Sequence, residues 1–183
     1  RGWRQAGRIL VGIGLLLLSL RMIGQASEPL RESSLLPVIV RTLSADASIA
    51  FIVAAVTTWL FHSIVASVLL IATLAAKSLI PVDLGLDLVL GANFGGALIA
   101  AALTRSGTPA QRAVPLGNLI LRGVGSIAGA IYISHISVPL DWLGNDPALQ
   151  IIHGHIAFNA ALLILGLPLA PLVSRLARCW ING

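Results

Sequence analysis

Apolar residues in this chain come in long runs, not at the spacing of a half-buried helix or strand. Runs at 8–25, 82–103, 113–133 and 151–173 each approach the roughly twenty residues of one helical membrane crossing, and they predict four transmembrane helices. The run at 46–76 is too long for one crossing and too short for two complete ones. Its polar groups gather at the centre, in Thr57-Thr58-Trp59-Leu60-Phe61-His62-Ser63. Two half-helices meeting at His62-Ser63, a re-entrant hairpin, fit that length; a single long tilted helix is the other reading. The segment 28–43 mixes Arg31, Glu32 and Arg41 with Leu35, Leu36, Val38 and Ile39, and predicts an interfacial helix interrupted at Pro37.

Glycine and proline refine this picture. The run 82–103 centres on Gly91-Ala92-Asn93-Phe94-Gly95-Gly96. Close helix packing explains glycines in a membrane helix, but an asparagine among them predicts local unwinding, a broken helix lining a cavity. Gly125 and Gly129 give 113–133 a small-residue packing face. Pro168 and Pro171 predict a bend or an end in the last span. The first run follows Arg1, Arg4 and Arg8 like a signal peptide, with Gln25-Ala26-Ser27 as a weak cleavage site. Arg21 within it and the runs beyond favour a retained helix.

Composition supports a lipid environment. Hydrophobic residues make up 57% of the 183 and charged residues 10%, against roughly 25% charged in a soluble domain. The net charge of +5 is spread over single arginines between apolar runs, with no basic stripe or interleaved aromatics, so nucleic acid is excluded as a partner. Read as topology signals, Arg1, Arg4, Arg8, Arg105, Arg112, Arg175 and Arg178 place both termini in the cytoplasm, and Asp141 and Asp146 outside. The expected bilayer is the cell (inner) membrane, crossed several times. Cys179 stands alone, which leaves no internal disulfide or thiolate metal site. A start at Arg1 instead of methionine is expected of part of a longer protein.

Polar groups at membrane depth are costly and mark candidate sites. His62 and Ser63 lie at the expected hairpin tip, with Thr58 and Ser67 one turn to either side, and Asn93 lies at the expected helix break. Half-helix N-termini suit an anion; unwound carbonyls with hydroxyl and amide oxygens suit a desolvated sodium ion. Each residue has a plainer reading. Ser63 and Ser67 can bond back to the preceding turn, and His62 can be a satisfied interior histidine or a proton relay. Arg122 either pairs with a carbonyl, reaches toward the cytoplasmic interface or attracts an anion. His153 and His155, two apart, point to different helix faces, which argues against zinc. Ser63 beside His62 makes no triad, and the chain is not expected to be an enzyme.

The order of these features resembles the type II sodium/phosphate cotransporter family. Gly91-Ala92-Asn93-Phe94-Gly95 is similar to its Gly-Ala-Asn-x-Gly motif. Thr58-Trp59-Leu60-Phe61-His62-Ser63-Ile64-Val65-Ala66 resembles its hairpin motif, and His155-Ile156-Ala157-Phe158-Asn159 a His-x-x-Phe-Asn segment further on. The resemblance implies an all-α integral membrane fold of about four transmembrane helices plus a re-entrant hairpin: one repeat, the C-terminal one, of an inverted-repeat transporter. It implies sodium-coupled inorganic phosphate transport, with sodium as coupling ion and no other cofactor. Ser63 and Asn93 would carry substrate and sodium, joined by His62, Thr58, Ser67, Gly91 and Gly95. His62 stands where the family has glutamine, and Ile64 where it has a serine ligand, so this half offers fewer contacts. A missing N-terminal repeat or a second copy would complete the site. A non-transporting scaffold, or a carrier of another small anion, is the alternative.

Overall fold

The computed structural model describes residues 2–136 and 138–182. Arg1, one of the expected topology arginines, and the side chain of Arg31 lie outside that description. The described chain is all-helical: α1 (Gly2–Ala26), α2 (Glu28–Arg31), α3 (Leu35–Ala45), α4 (Ala47–Phe61), α5 (Ile64–Ala76), α6 (Val82–Leu103), α7 (Pro109–His135), a 3-10 turn at Leu140–Leu143, and α8 (Pro147–Asn182). Four helices, α1, α6, α7 and α8, are long and apolar enough to cross a membrane. Their outward faces carry exposed Leu, Ile and Val that only lipid or another protein can cover. The chain is a multi-pass, all-α membrane protein, as its composition implies.

The run at 46–76 folds as two helices. Asp46 caps α4 by accepting from the Ser48 and Ile49 amides at 2.8 and 3.3 Å. The helix ends at His62, whose backbone is left-handed (φ 54°), and Ser63 restarts the chain as N-cap of α5, accepting from the Ala66 amide at 3.1 Å. At 1.5 Å per residue, α4 and α5 are about 22 and 20 Å long, short of the roughly 30 Å hydrocarbon core.

Glycine contacts give the helix directions. Gly91 and Gly95 of α6 lie against the backbones of Phe51 and Ala55 of α4, so these two helices run parallel. Gly96 meets Ile64 and Gly85 meets Ile71, so α5 returns antiparallel to α6. Gly85 and Gly154 bring Ile151 of α8 and Leu86 of α6 into register, which makes α8 parallel to α6. Gly125, Gly166 and Gly117 seat α7 antiparallel on α8. The two ends of the α4–α5 pair therefore lie at the same end of the bundle as the start of α6. Arg105 and Arg112 lie at the opposite end.

The structure corrects several expectations. Helix α6 is continuous through Gly91–Gly96. These glycines do not unwind it, because a side chain on Gly91 or Gly95 would overlap an α4 carbonyl; they allow close backbone approach. Pro37 does not interrupt 28–43. It sits in the first turn of α3, where a missing N–H costs no helical bond, and the break falls at 32–34. Pro168 and Pro171 do not end α8, which continues to Asn182. Helix α7 begins at Pro109, earlier than expected, because Thr108 and Gln111 form a capping box. Helices α3 and α4 meet at a bend of 114°.

Candidate functional site

Among the described residues, two hydrogen-bonded groups of polar side chains sit where helices of the apolar bundle meet. The first is at the tip of the α4–α5 pair. Thr58, fully buried, donates to Ser67 Oγ at 2.8 Å, and Ser67 Oγ donates to the Ser63 carbonyl at 3.2 Å. Thr58 and Ser67 are nine residues apart, about 13 Å along a straight helix; only the reversal at His62-Ser63 brings their hydroxyls together. His62 is exposed, and its Nδ1 lies 3.0 Å from the Leu60 carbonyl. The plainer reading of Ser67, a bond back to the preceding turn, holds.

The second group joins three helices. Asn93, 0% exposed, donates through Nδ2 to the Val89 carbonyl at 2.8 Å and faces His155 Nδ1 at 3.1 Å. With one amide proton on each, His155 Nδ1 is an acceptor and the amide oxygen is turned toward α7. There Arg122 Nη1 donates to Asn93 Oδ1 at 2.8 Å and Nη2 donates to Asn159 Oδ1 at 2.8 Å. Asn159 is anchored in turn, donating to the His155 carbonyl at 2.8 Å. Arg122 thus does not reach for the interface: it pairs with carbonyl oxygens, those of two side-chain amides, which hold it in the bundle.

The expected site residues divide between these groups. Thr58, Ser63 and Ser67 share one hydrogen-bonded chain, whereas Asn93 belongs to the other, with His155, Arg122 and Asn159. The groups are neighbours along α6, since Ile64, next to Ser63, packs on Gly96, one turn beyond Asn93. Gly91 and Gly95 are turned to α4 and spent on packing. Expectation missed Asn159 and His155 as polar partners. Their signal was the His155–Asn159 segment itself, two polar residues one turn apart in an apolar span.

Comparison with known proteins adds a functional context. The chain is 31% identical over 174 residues to a Salmonella typhimurium protein named "Putative inorganic phosphate export protein YjbB", and 33% identical over 174 residues to proteins of the same name in Escherichia coli and Shigella flexneri. Each alignment covers 95% of this chain and 32% of the relative, so the chain spans about a third of the length of the curated relatives it matches. No family model and no solved structure matches.

These names overturn the expectation of sodium-coupled transport. Symport with an inwardly directed sodium gradient drives its substrate into the cell, whereas the relatives are named for export.

Proposed function

We propose that this chain is part of a carrier, not an enzyme, that moves inorganic phosphate out of the cell. The observation that carries this reading is the hydroxyl-lined tip between α4 and α5, set beside Asn93 in the middle of α6. It lies within a chain that aligns over 95% of its length with proteins named for phosphate export. Neutral hydroxyl and amide groups can replace the hydration shell of an anion without repelling it. Ser63, Thr58, Ser67 and Asn93 are the groups nearest such a path, with His62 shaping the turn.

Export of an anion has a natural driving force. An inside-negative potential favours outward movement of negative charge by about 2.3 kcal/mol per charge per 100 mV. The arginine-bearing ends of α6, α7 and α8 face the cytoplasm in this reading, in the inner membrane, and the α4–α5 pair enters and leaves from the outside. A further segment of a longer protein, or a second copy arranged as an inverted repeat, closes the site over the exposed face of α4.

The test is release of labelled phosphate from proteoliposomes holding the intact protein, with the lumen made negative or positive by a potassium gradient. Outward flux that rises with a negative lumen supports the reading. A folded protein that moves no phosphate under either polarity sinks it and leaves the scaffold alternative. That alternative draws on one observation: the hydroxyls of Thr58 and Ser67 already have internal acceptors.

A further inference from the structure

Arg122 stands at the midpoint of α7, with about 20 Å of helix on either side. An arginine side chain cannot span that distance to the interface, so its charge stays at the centre of the bundle. A charge at membrane depth is costly unless compensated. Its partners Asn93 and Asn159 are neutral, and among the described residues no carboxylate pairs with it. The guanidinium has five N–H donors, of which two are engaged by these amides; Nε and one hydrogen on each Nη remain to bond an oxyanion.

A second, independent observation lies one turn away. Ser126 is fully buried, and its hydroxyl has no hydrogen-bond partner. Other helical hydroxyls in the chain, those of Ser19, Thr42, Thr57 and Thr73, bond back to the carbonyl four residues earlier. Ser126 does not. Four residues after Arg122, it shares that residue's face of α7. It sits between Gly123, which meets Phe94, and Gly129, which meets Leu90, and so faces α6 at the level of Asn93.

We propose that Arg122 and Ser126, with Asn93 and Asn159 orienting the guanidinium, form an oxyanion site that takes inorganic phosphate. The proposal rests on the phosphate-carrier reading above and names its binding groups. Arg122 supplies the counter-charge and its remaining N–H donors, and Ser126 supplies a further donor to another phosphate oxygen. Because Ser126 is closed to solvent, loading requires α7 to move relative to α6.

The experiment is binding of inorganic phosphate to the intact protein in nanodiscs, with thermal stability measured on the same samples. Arg122→Gln should weaken binding at least about tenfold, the equivalent of one lost charge-assisted bond. Arg122→Lys, which keeps the charge without the fork, should fall between. Ser126→Ala is the decisive variant. It removes a buried, unpartnered hydroxyl, so the protein should be as stable as before or more so, yet bind phosphate several-fold more weakly; a merely structural serine would not separate the two readouts. If Arg122→Gln fails to fold, Ser126→Ala and Arg122→Lys decide. Wild-type binding by both would overturn the site while leaving the carrier standing. A wild-type protein that neither binds nor moves phosphate would remove the carrier reading itself.

Discussion

Arg122 Nη1 donates to Asn93 Oδ1 at 2.8 Å, tying α7 to α6 across 29 positions of sequence. The amide cannot turn over without losing its bonds on the other side to Val89 and His155. Asn93→Leu should therefore cost about 2–3 kcal/mol, because it leaves the guanidinium with only the Asn159 oxygen as acceptor. Asn93→Asp should behave differently. It keeps an acceptor and brings the missing negative charge, so the protein should fold, but phosphate binding should fall at least about tenfold. Thermal unfolding and phosphate titration of both variants check this, and unchanged binding by Asn93→Asp would refute it.

His62 occupies the left-handed region at the break between α4 and α5. That conformation costs a non-glycine residue about 1 kcal/mol. Its side chain is exposed and reaches only the Leu60 carbonyl. His62→Gly should raise stability by up to about 1 kcal/mol, and His62→Val should lower it. Denaturant unfolding of the two variants side by side reads the sign.

Gly91 and Gly95 hold α6 against the α4 backbone, whereas Gly12 and Gly14 of α1 have nothing within 4 Å. Alanine at Gly91 or Gly95 should cost about 1–3 kcal/mol by forcing the helices apart. Alanine at Gly12 should be neutral or stabilising, since it improves helix propensity without a clash. Melting temperatures that do not separate these sites would refute the packing role.

Ser63 caps α5 through the Ala66 amide. Its loss to alanine should cost about 1 kcal/mol, and to glycine only a few tenths. Ser63→Gly is thus the cleaner probe of the tip. Phosphate flux per folded molecule should drop in Ser63→Gly if the hydroxyl touches substrate, and flux equal to wild type would confine Ser63 to capping.

Much of this architecture was legible in the sequence. The hairpin break was readable because His62 and Ser63 interrupt an apolar run at the point where a cap is needed. The continuity of α6 was not, because glycine serves both unwinding and close packing, and the choice rests on Phe51 and Ala55, some forty residues away. Asn93 was legible as a polar residue at depth, and Arg122 as a charge within a span. That they bond to each other, with Asn159 completing the fork, depends on the register of three helices, which no local pattern encodes. Ser126 gave no signal, since an isolated serine ordinarily satisfies itself on its own helix. Its lack of a partner is visible only in three dimensions.

The glycine seam between α4 and α6 also constrains movement. Backbones in direct contact along a full turn leave no lubricating layer of side chains, so the hairpin cannot swing away from α6 as a flap. It travels with α6 as a single plate. Any change in which side of the membrane the polar interior faces must therefore shear this plate against α7 and α8, and the amide–guanidinium bonds of Asn93, Arg122 and Asn159 lie across that boundary as its latch.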